Sequence, residues 1–184
     1  ALPGGSKISP PDPLIRPVDG RPPAVRLSLL LLGVLYVGTL GSFVGLTRSL
    51  PSGIFWVLTL LGMTWLNDTA AYLVGHRWGR RRLAPNISPG KSVEGFVAGF
   101  GGSLLGFALF WFLFDRPIPF AAGIPLVLLA GLAGPVGDLA ESLIKRSFDA
   151  KDSGTMIPGH GGMLDRIDAL LFTAPVVYYY ASLL

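Results

Sequence analysis

The acidic residues carry the first chemical signal. Asp68 lies within WLNDTAAYLVG, Asp138 and Glu141 within GPVGDLAESLIKR, and Asp165 and Asp168 in LDRID at the start of the last apolar stretch. An ionisable group in hydrocarbon costs about 2.5–3.5 kcal/mol on insertion scales, so acids in such segments are expected to have a function. Asp138 and Glu141 are three apart, which puts them on one helix face, and Asp165 and Asp168 repeat that spacing. Glu141 and Lys145, four apart, can pair. Carboxylates gathered in one pocket repel each other unless cations intervene. Hard divalent cations meet that need, and magnesium takes one or two carboxylates while leaving positions for phosphate and water. The plainer reading is that these acids pair with nearby arginines and hold helices together.

Two segments beside the acids have the chemistry of phosphate sites. NISPGKSVEG, residues 86–95, sets Ser88, Gly90, Lys91 and Ser92 just before a helix start. Free backbone N–H groups and the positive end of a helix dipole suit an anion there. Ser92 with Glu94 also reads as an ordinary cap followed by an acid in the first turn, which leaves Lys91 unexplained. The spacing is not that of a Walker A loop. The second segment, residues 145–168, gathers Lys145, Arg146, Lys151 and Arg166 around GHGG and the two aspartates. Cations there would neutralise phosphate, and His160 would hydrogen-bond a phosphate, move a proton or merely brace its loop. Arg80, Arg81 and Arg82 read as a topology signal or a headgroup contact.

The elements that must position these residues are apolar. Hydrophobic residues make up 51% of the 184, charged residues 14%, and mean hydropathy is +0.57. A soluble or disordered chain of this size is excluded. Five stretches reach the roughly 20 residues that cross a bilayer: about Arg26–Leu46, Gly53–Gly75, Val93–Phe114, Phe120–Arg146 and Asp165–Leu184. The fourth holds Pro125 and Pro135 and is expected to kink or break. Gly95, Gly99, Gly102 and Gly106 recur at the spacing of packed transmembrane helices. Of the 15 Lys and Arg, 13 fall in the N-terminal tail and the two longer loops, and only Arg48 and Arg116 on the other side. The positive-inside rule therefore sets the tail and loops 76–92 and 146–164 in the cytoplasm. The expected fold is all-α, a polytopic transmembrane helix bundle of about five spans with a cytoplasm-facing polar cavity. Asp68, Asp138, Asp165 and Asp168 all reach that cavity from the same end. Residues 1–25 form a Pro-rich tail and residues 26–184 the transmembrane catalytic domain. The absence of an initiator Met reads as a fragment or a processed chain. The absence of Cys excludes disulfides, thiolate metal sites and a Cys nucleophile, and two His make a structural zinc site untenable. The net charge of +4 fits a membrane surface and anionic ligands, not nucleic acid.

Ser142 through Asp168, S-L-I-K-R-S-F-D-A-K-D-S-G-T-M-I-P-G-H-G-G-M-L-D-R-I-D, resembles the signature of the phosphatidate cytidylyltransferases, the CDP-diacylglycerol synthases. WLNDTAAYLVGHRWG and LAPNISPGKSVEGF are similar to segments of the same family, and the resemblance runs from about Leu35 to the C-terminus. Gly90 and Val93 stand where a basic residue and a tryptophan are common. The resemblance implies transfer of a cytidylyl group from CTP to phosphatidic acid, giving CDP-diacylglycerol and pyrophosphate. It implies a metal centre at Asp138, Asp165 and Asp168, with magnesium and potassium as the candidate ions. It implies that Lys145, Arg146, Lys151 and Arg166 contact the triphosphate or the lipid phosphate. Asn67, Asp68, Ser88, Lys91, Ser92 and Glu94 would complete the nucleotide pocket. The expected setting is the cell inner (plasma) membrane, crossed several times, with the bilayer and a second copy of the chain, as a homo-oligomer, among the partners. Two other classes share some of these features: a CTP-dependent lipid kinase or transferase, and a cation-coupled transporter. Against the transporter, no inverted repeat is visible.

Overall fold

The computed structural model describes residues 22–147, Ser153 and residues 162–184. The chain divides at Thr39 into two compact units. The first contains helix α1, Pro23–Gly33, followed by a π-helical stretch, Val34–Thr39. Pro23 opens α1 where a missing N–H costs nothing, which is why the helix begins inside the Pro-rich region. No side chain of α1 or of the π-helical stretch is buried.

The second unit contains α2 (Leu40–Arg48), α3 (Gly53–Trp78), a hairpin of β1 (Arg82–Ala84) and β2 (Ser88–Ser92), α4 (Val93–Leu113), α5 (Phe120–Ser147) and α6 (Leu164–Ser182). All five expected apolar stretches are helical. The runs Pro23–Arg48, Val93–Leu113 and Phe120–Ser147 are long and apolar enough to cross a membrane. The other two helices, α3 and α6, are those that carry Asn67, Asp68, Asp165 and Asp168.

Helices α3 and α4 lie against each other along the expected glycine seam. A Cβ on Gly106 would stand 2.5 Å from the backbone of Gly62, and one on Gly95 would stand 2.5 Å from the Ala71 carbonyl oxygen. Small residues allow this approach, and dispersion between close backbones holds it. The apolar core sits at the end of the bundle away from the hairpin: Phe55, Leu60 and Met63 of α3, Phe107 of α4, Leu126 of α5, and Ala174 and Val177 of α6. Tyr180 of α6 donates its hydroxyl to the Ala122 carbonyl of α5, and Trp111 Nε1 donates to the Ile118 carbonyl at 2.7 Å. One end of these helices is thus packed tight, and the other is left for polar groups.

Two local expectations meet the structure. Of the kink or break expected at Pro125 and Pro135, the break does not occur: α5 is one helix from Phe120 to Ser147. Each proline removes one N–H donor, but neighbouring helices bury much of this segment and keep it helical. The segment read as an anion-cradling loop is instead strand β2, antiparallel to β1, with Arg82 opposite Ser92 and Ala84 opposite Ser88. Its backbone is partly used in that pairing. At the start of α4, Val93 N donates to the Arg81 carbonyl at 2.9 Å and Gly95 N donates to Ser92 Oγ at 3.1 Å. What the segment offers a ligand is therefore chiefly its side chains, Lys91 first.

The seam makes a direct prediction. Gly106→Val should lower the thermal midpoint of the detergent-solubilised protein by several degrees, the effect of about 1–3 kcal/mol of overpacking. Gly101→Ala, on the same helix but facing open space, should leave the midpoint within one degree or so. Equal midpoints in the two variants would contradict the close α3–α4 approach.

Candidate active site

The polar halves of α3, α5 and α6 and the start of α4 enclose a cavity of about 690 Å³. Among the described residues its wall holds five carboxylates, Asp68, Asp138, Glu141, Asp165 and Asp168, and three cationic side chains, Arg82, Lys91 and Lys145. The helical periods expected from sequence produce this convergence. Asp138, Glu141 and Lys145 follow one another at three and four residues along α5, and Asp165 and Asp168 at three along α6.

The charges pair in a definite order. Lys91 Nζ lies 2.6 Å from Asp138 Oδ2, and Ser142 Oγ donates to Asp138 Oδ1 at 3.3 Å. Lys145 Nζ lies 2.6 Å from Glu141 Oε2 and 2.5 Å from Asp165 Oδ1. Asp165 Oδ2 accepts from Ser153 N at 2.9 Å, Ser153 Oγ at 2.8 Å and Gly162 N at 2.8 Å. Asp168 Oδ1 accepts from Ala169 N at 2.7 Å. Glu141 is 1% exposed and its Oε1 has no hydrogen-bond partner among the described residues.

Asp138, Glu141 and Asp168 each offer a carboxylate oxygen, and these atoms lie within 4.8 Å of one another. This hard-oxygen set fits magnesium. Among the described residues the five acids of the wall exceed its three cationic groups by two formal charges, which one divalent ion would balance. Glu141 therefore joins the cluster in a place the sequence reading gave to Asp165. Its three-residue spacing from Asp138 was the signal that could have found it. Asp165 lines the same cavity, but both its oxygens are engaged, one by Lys145 and the other by Ser153 and Gly162.

The remaining sequence-derived residues divide between the cavity and its surroundings. Asn67, Asp68, Lys91, Ser92 and Lys145 line the cavity. Ser92 caps α4 as expected. Glu94 turns the other way: its carboxylate accepts from the backbone N–H of Arg80 at 3.0 Å and of Arg81 at 3.2 Å, so it fixes the chain leaving α3. Ser88, Arg146 and Arg166 are not among the groups lining the cavity. Lys151 and His160 lie outside the described residues.

This arrangement can hold a polyanion between cationic side chains beside a divalent ion, and comparison with known proteins agrees with it. The family model described as "Cytidylyltransferase family" matches residues 17–184. The chain belongs to the cytidylyltransferase family. It is 37% identical over 159 residues to a phosphatidate cytidylyltransferase of Bacillus subtilis, covering 86% of this chain and 59% of that protein. It is 46% identical over 138 residues to one of Synechocystis, covering 74% and 46%, and 42% identical over 149 residues to one of Staphylococcus aureus, covering 80% and 56%. The chain thus spans about half the length of the curated relatives it matches. Its apolar helices, within this family, make it an integral membrane protein.

In this cytidylyltransferase-family chain, Lys145 is the linchpin of the ion pairs. Lys145→Met should strand the buried Glu141 and cost about 3–5 kcal/mol, seen as a large drop in thermal midpoint. The double variant Lys145→Met/Glu141→Gln should recover most of it. Failure of the second substitution to recover any stability would contradict the pairing.

Proposed function

We propose that this chain carries the catalytic site of a phosphatidate cytidylyltransferase, joining CTP and phosphatidic acid into CDP-diacylglycerol with release of pyrophosphate. The observation that carries the reading is the set of three carboxylates within 4.8 Å, beside Lys91 and Lys145, in a cavity walled in part by α4 and α5, which are long and apolar enough to cross a membrane. A phosphatidate oxygen forms a bond to the α-phosphorus of CTP as the bond to the β-phosphate bridging oxygen breaks, and pyrophosphate leaves with that electron pair. Phosphatidate is already anionic near neutral pH, so the site needs no strong general base. Its work is positioning and charge neutralisation.

Asp138, Glu141 and Asp168 would hold magnesium, with Asp165 braced beside them through Lys145. Such an ion polarises a phosphoryl oxygen and steadies a departing pyrophosphate. Once phosphates enter, Lys91 and Lys145 can exchange a carboxylate partner for a phosphate oxygen, since each is already beside the cluster. Arg82 adds a third cation at the wall. The excess of Lys and Arg in the tail and longer loops supports a cavity that opens at the cytoplasmic face of the inner membrane, where CTP would enter, while the lipid would come in sideways between helices. A second ion, potassium, is compatible with the remaining acids, Asp68 among them.

The test is a two-phase assay on the intact protein in detergent with phosphatidic acid, magnesium and CTP labelled at the α-phosphate. Label should move into the lipid extract, and EDTA or Asp168→Asn should reduce this by roughly a hundredfold or more. Label left on water-soluble CDP would show a lipid kinase instead. No transfer of any kind would contradict the proposal.

A further inference from the structure

The chain between α3 and α4 forms a second concavity, separate from the acidic cavity. It is an open groove of about 550 Å³ lined by Arg80, Arg81, Val93, Glu94 and Val97. None of these five residues lines the acidic cavity. The chain divides its side chains between the two: Arg82, Gly95 and Phe96 go to the cavity, and their neighbours Arg81, Glu94 and Val97 go to the groove.

The two arginines of the groove stand on a fixed base. Arg80 N and Arg81 N donate to the Glu94 carboxylate at 3.0 Å and 3.2 Å, and the Arg81 carbonyl accepts from Val93 N at 2.9 Å. Glu94 thus spends its oxygens on backbone N–H groups, and none of the ion pairs among the described residues includes Arg80 or Arg81. Two guanidinium groups and one carboxylate leave the groove, among the described residues, with one net positive charge. One phosphodiester is the complement of that charge, and the guanidinium fork matches phosphate oxygens in pairs.

The rest of the groove is apolar and sits at a defined depth. Val93 and Val97 belong to the first turns of α4, a span of 21 residues whose length, about 32 Å, matches the hydrocarbon of a bilayer. The groove therefore lies where headgroups meet acyl chains. Trp78, exposed at the end of α3, is a residue type enriched at that level. From Val97 an exposed stripe continues along one face of α4 through Leu104, Leu105 and Phe112. Gly101 lies open within it, since a Cβ there would meet nothing within 4 Å.

We propose that this groove holds one anionic phospholipid of the leaflet on the side of the basic loops, its phosphate between Arg80 and Arg81 and an acyl chain along the α4 stripe. A free phosphate would use the arginines and leave the stripe bare, so a lipid is the occupant that fits the whole surface. The site is distinct from the acidic cavity and does not depend on the reaction assigned there.

The test measures the thermal midpoint of the intact protein in neutral detergent with added phosphatidylglycerol, phosphatidylcholine or inorganic phosphate. Phosphatidylglycerol should raise the midpoint by several degrees, and the other two should raise it by much less. Arg80→Gln/Arg81→Gln should remove most of the rise. Arg77→Gln should keep it, because Arg77 stacks on Trp78 and does not line the groove. A second measurement needs no variant: a phosphatidylglycerol with a photoreactive group near its glycerol should cross-link to the peptide that holds Val93 and Val97. An equal rise with phosphatidylcholine or inorganic phosphate, a rise kept in full by the double variant, or cross-linking elsewhere only would overturn the proposal. None of these readouts involves cytidylyl transfer, so the proposal and the reading of the cavity stand or fall separately.

Discussion

The structure depends on burying like charges. Asp138, Glu141 and Asp168 bring carboxylate oxygens within 4.8 Å of each other, on helices whose other faces are apolar. No arrangement of such helices is stable with those charges unopposed. Two lysines oppose them, one on the hairpin strand and one on α5. Their reach dictates local structure: β2 must run close to α5 for Lys91 to meet Asp138, and α6 must begin beside the end of α5 for Lys145 to join Glu141 to Asp165. The ion pairs thus define where the loops attach, and among the described residues a surplus of negative charge is left facing the cavity.

The apolar end of the bundle makes that concentration of charge tolerable. The glycine seam of α3 and α4 lets two helices serve as one rigid wall, and the aromatic and aliphatic core between α3, α4, α5 and α6 closes the far end. The cavity is thus closed at its apolar end and lined by polar groups at the other. The same seam carries Asn67 and Ser103, so the element that sets packing also fixes the orientation of a buried amide.

Much of this was legible in the sequence, and the exceptions have physical reasons. The five long helical stretches follow from apolar length, and the α3–α4 contact follows from Gly95, Gly99, Gly102 and Gly106. Asp138 with Glu141, and Glu141 with Lys145, follow from helical spacing. The hairpin was hidden because its short strands, Arg82–Ala84 and Ser88–Ser92, hold Pro, Gly and charges and show no alternation of apolar residues. The family resemblance set Glu94 in the nucleotide pocket, whereas its spacing from Ser92 already read as an ordinary first-turn acid, and its carboxylate accepts from the backbone N–H groups of Arg80 and Arg81. The division of labour between Glu141 and Asp165 needs distances between helices, which spacing along one helix does not contain. The link from Asn67 to Ser103 crosses 36 positions of sequence and was invisible for the same reason.

The most direct measurement is binding of Mn2+ to the intact protein, read by electron paramagnetic resonance with no nucleotide present. Saturable binding that magnesium displaces, weakened roughly 10–100-fold by Glu141→Gln and likewise by Asp138→Asn or Asp168→Asn, is the result predicted by a carboxylate cluster built for a divalent ion. Binding that is the same in wild type and all three variants would contradict it.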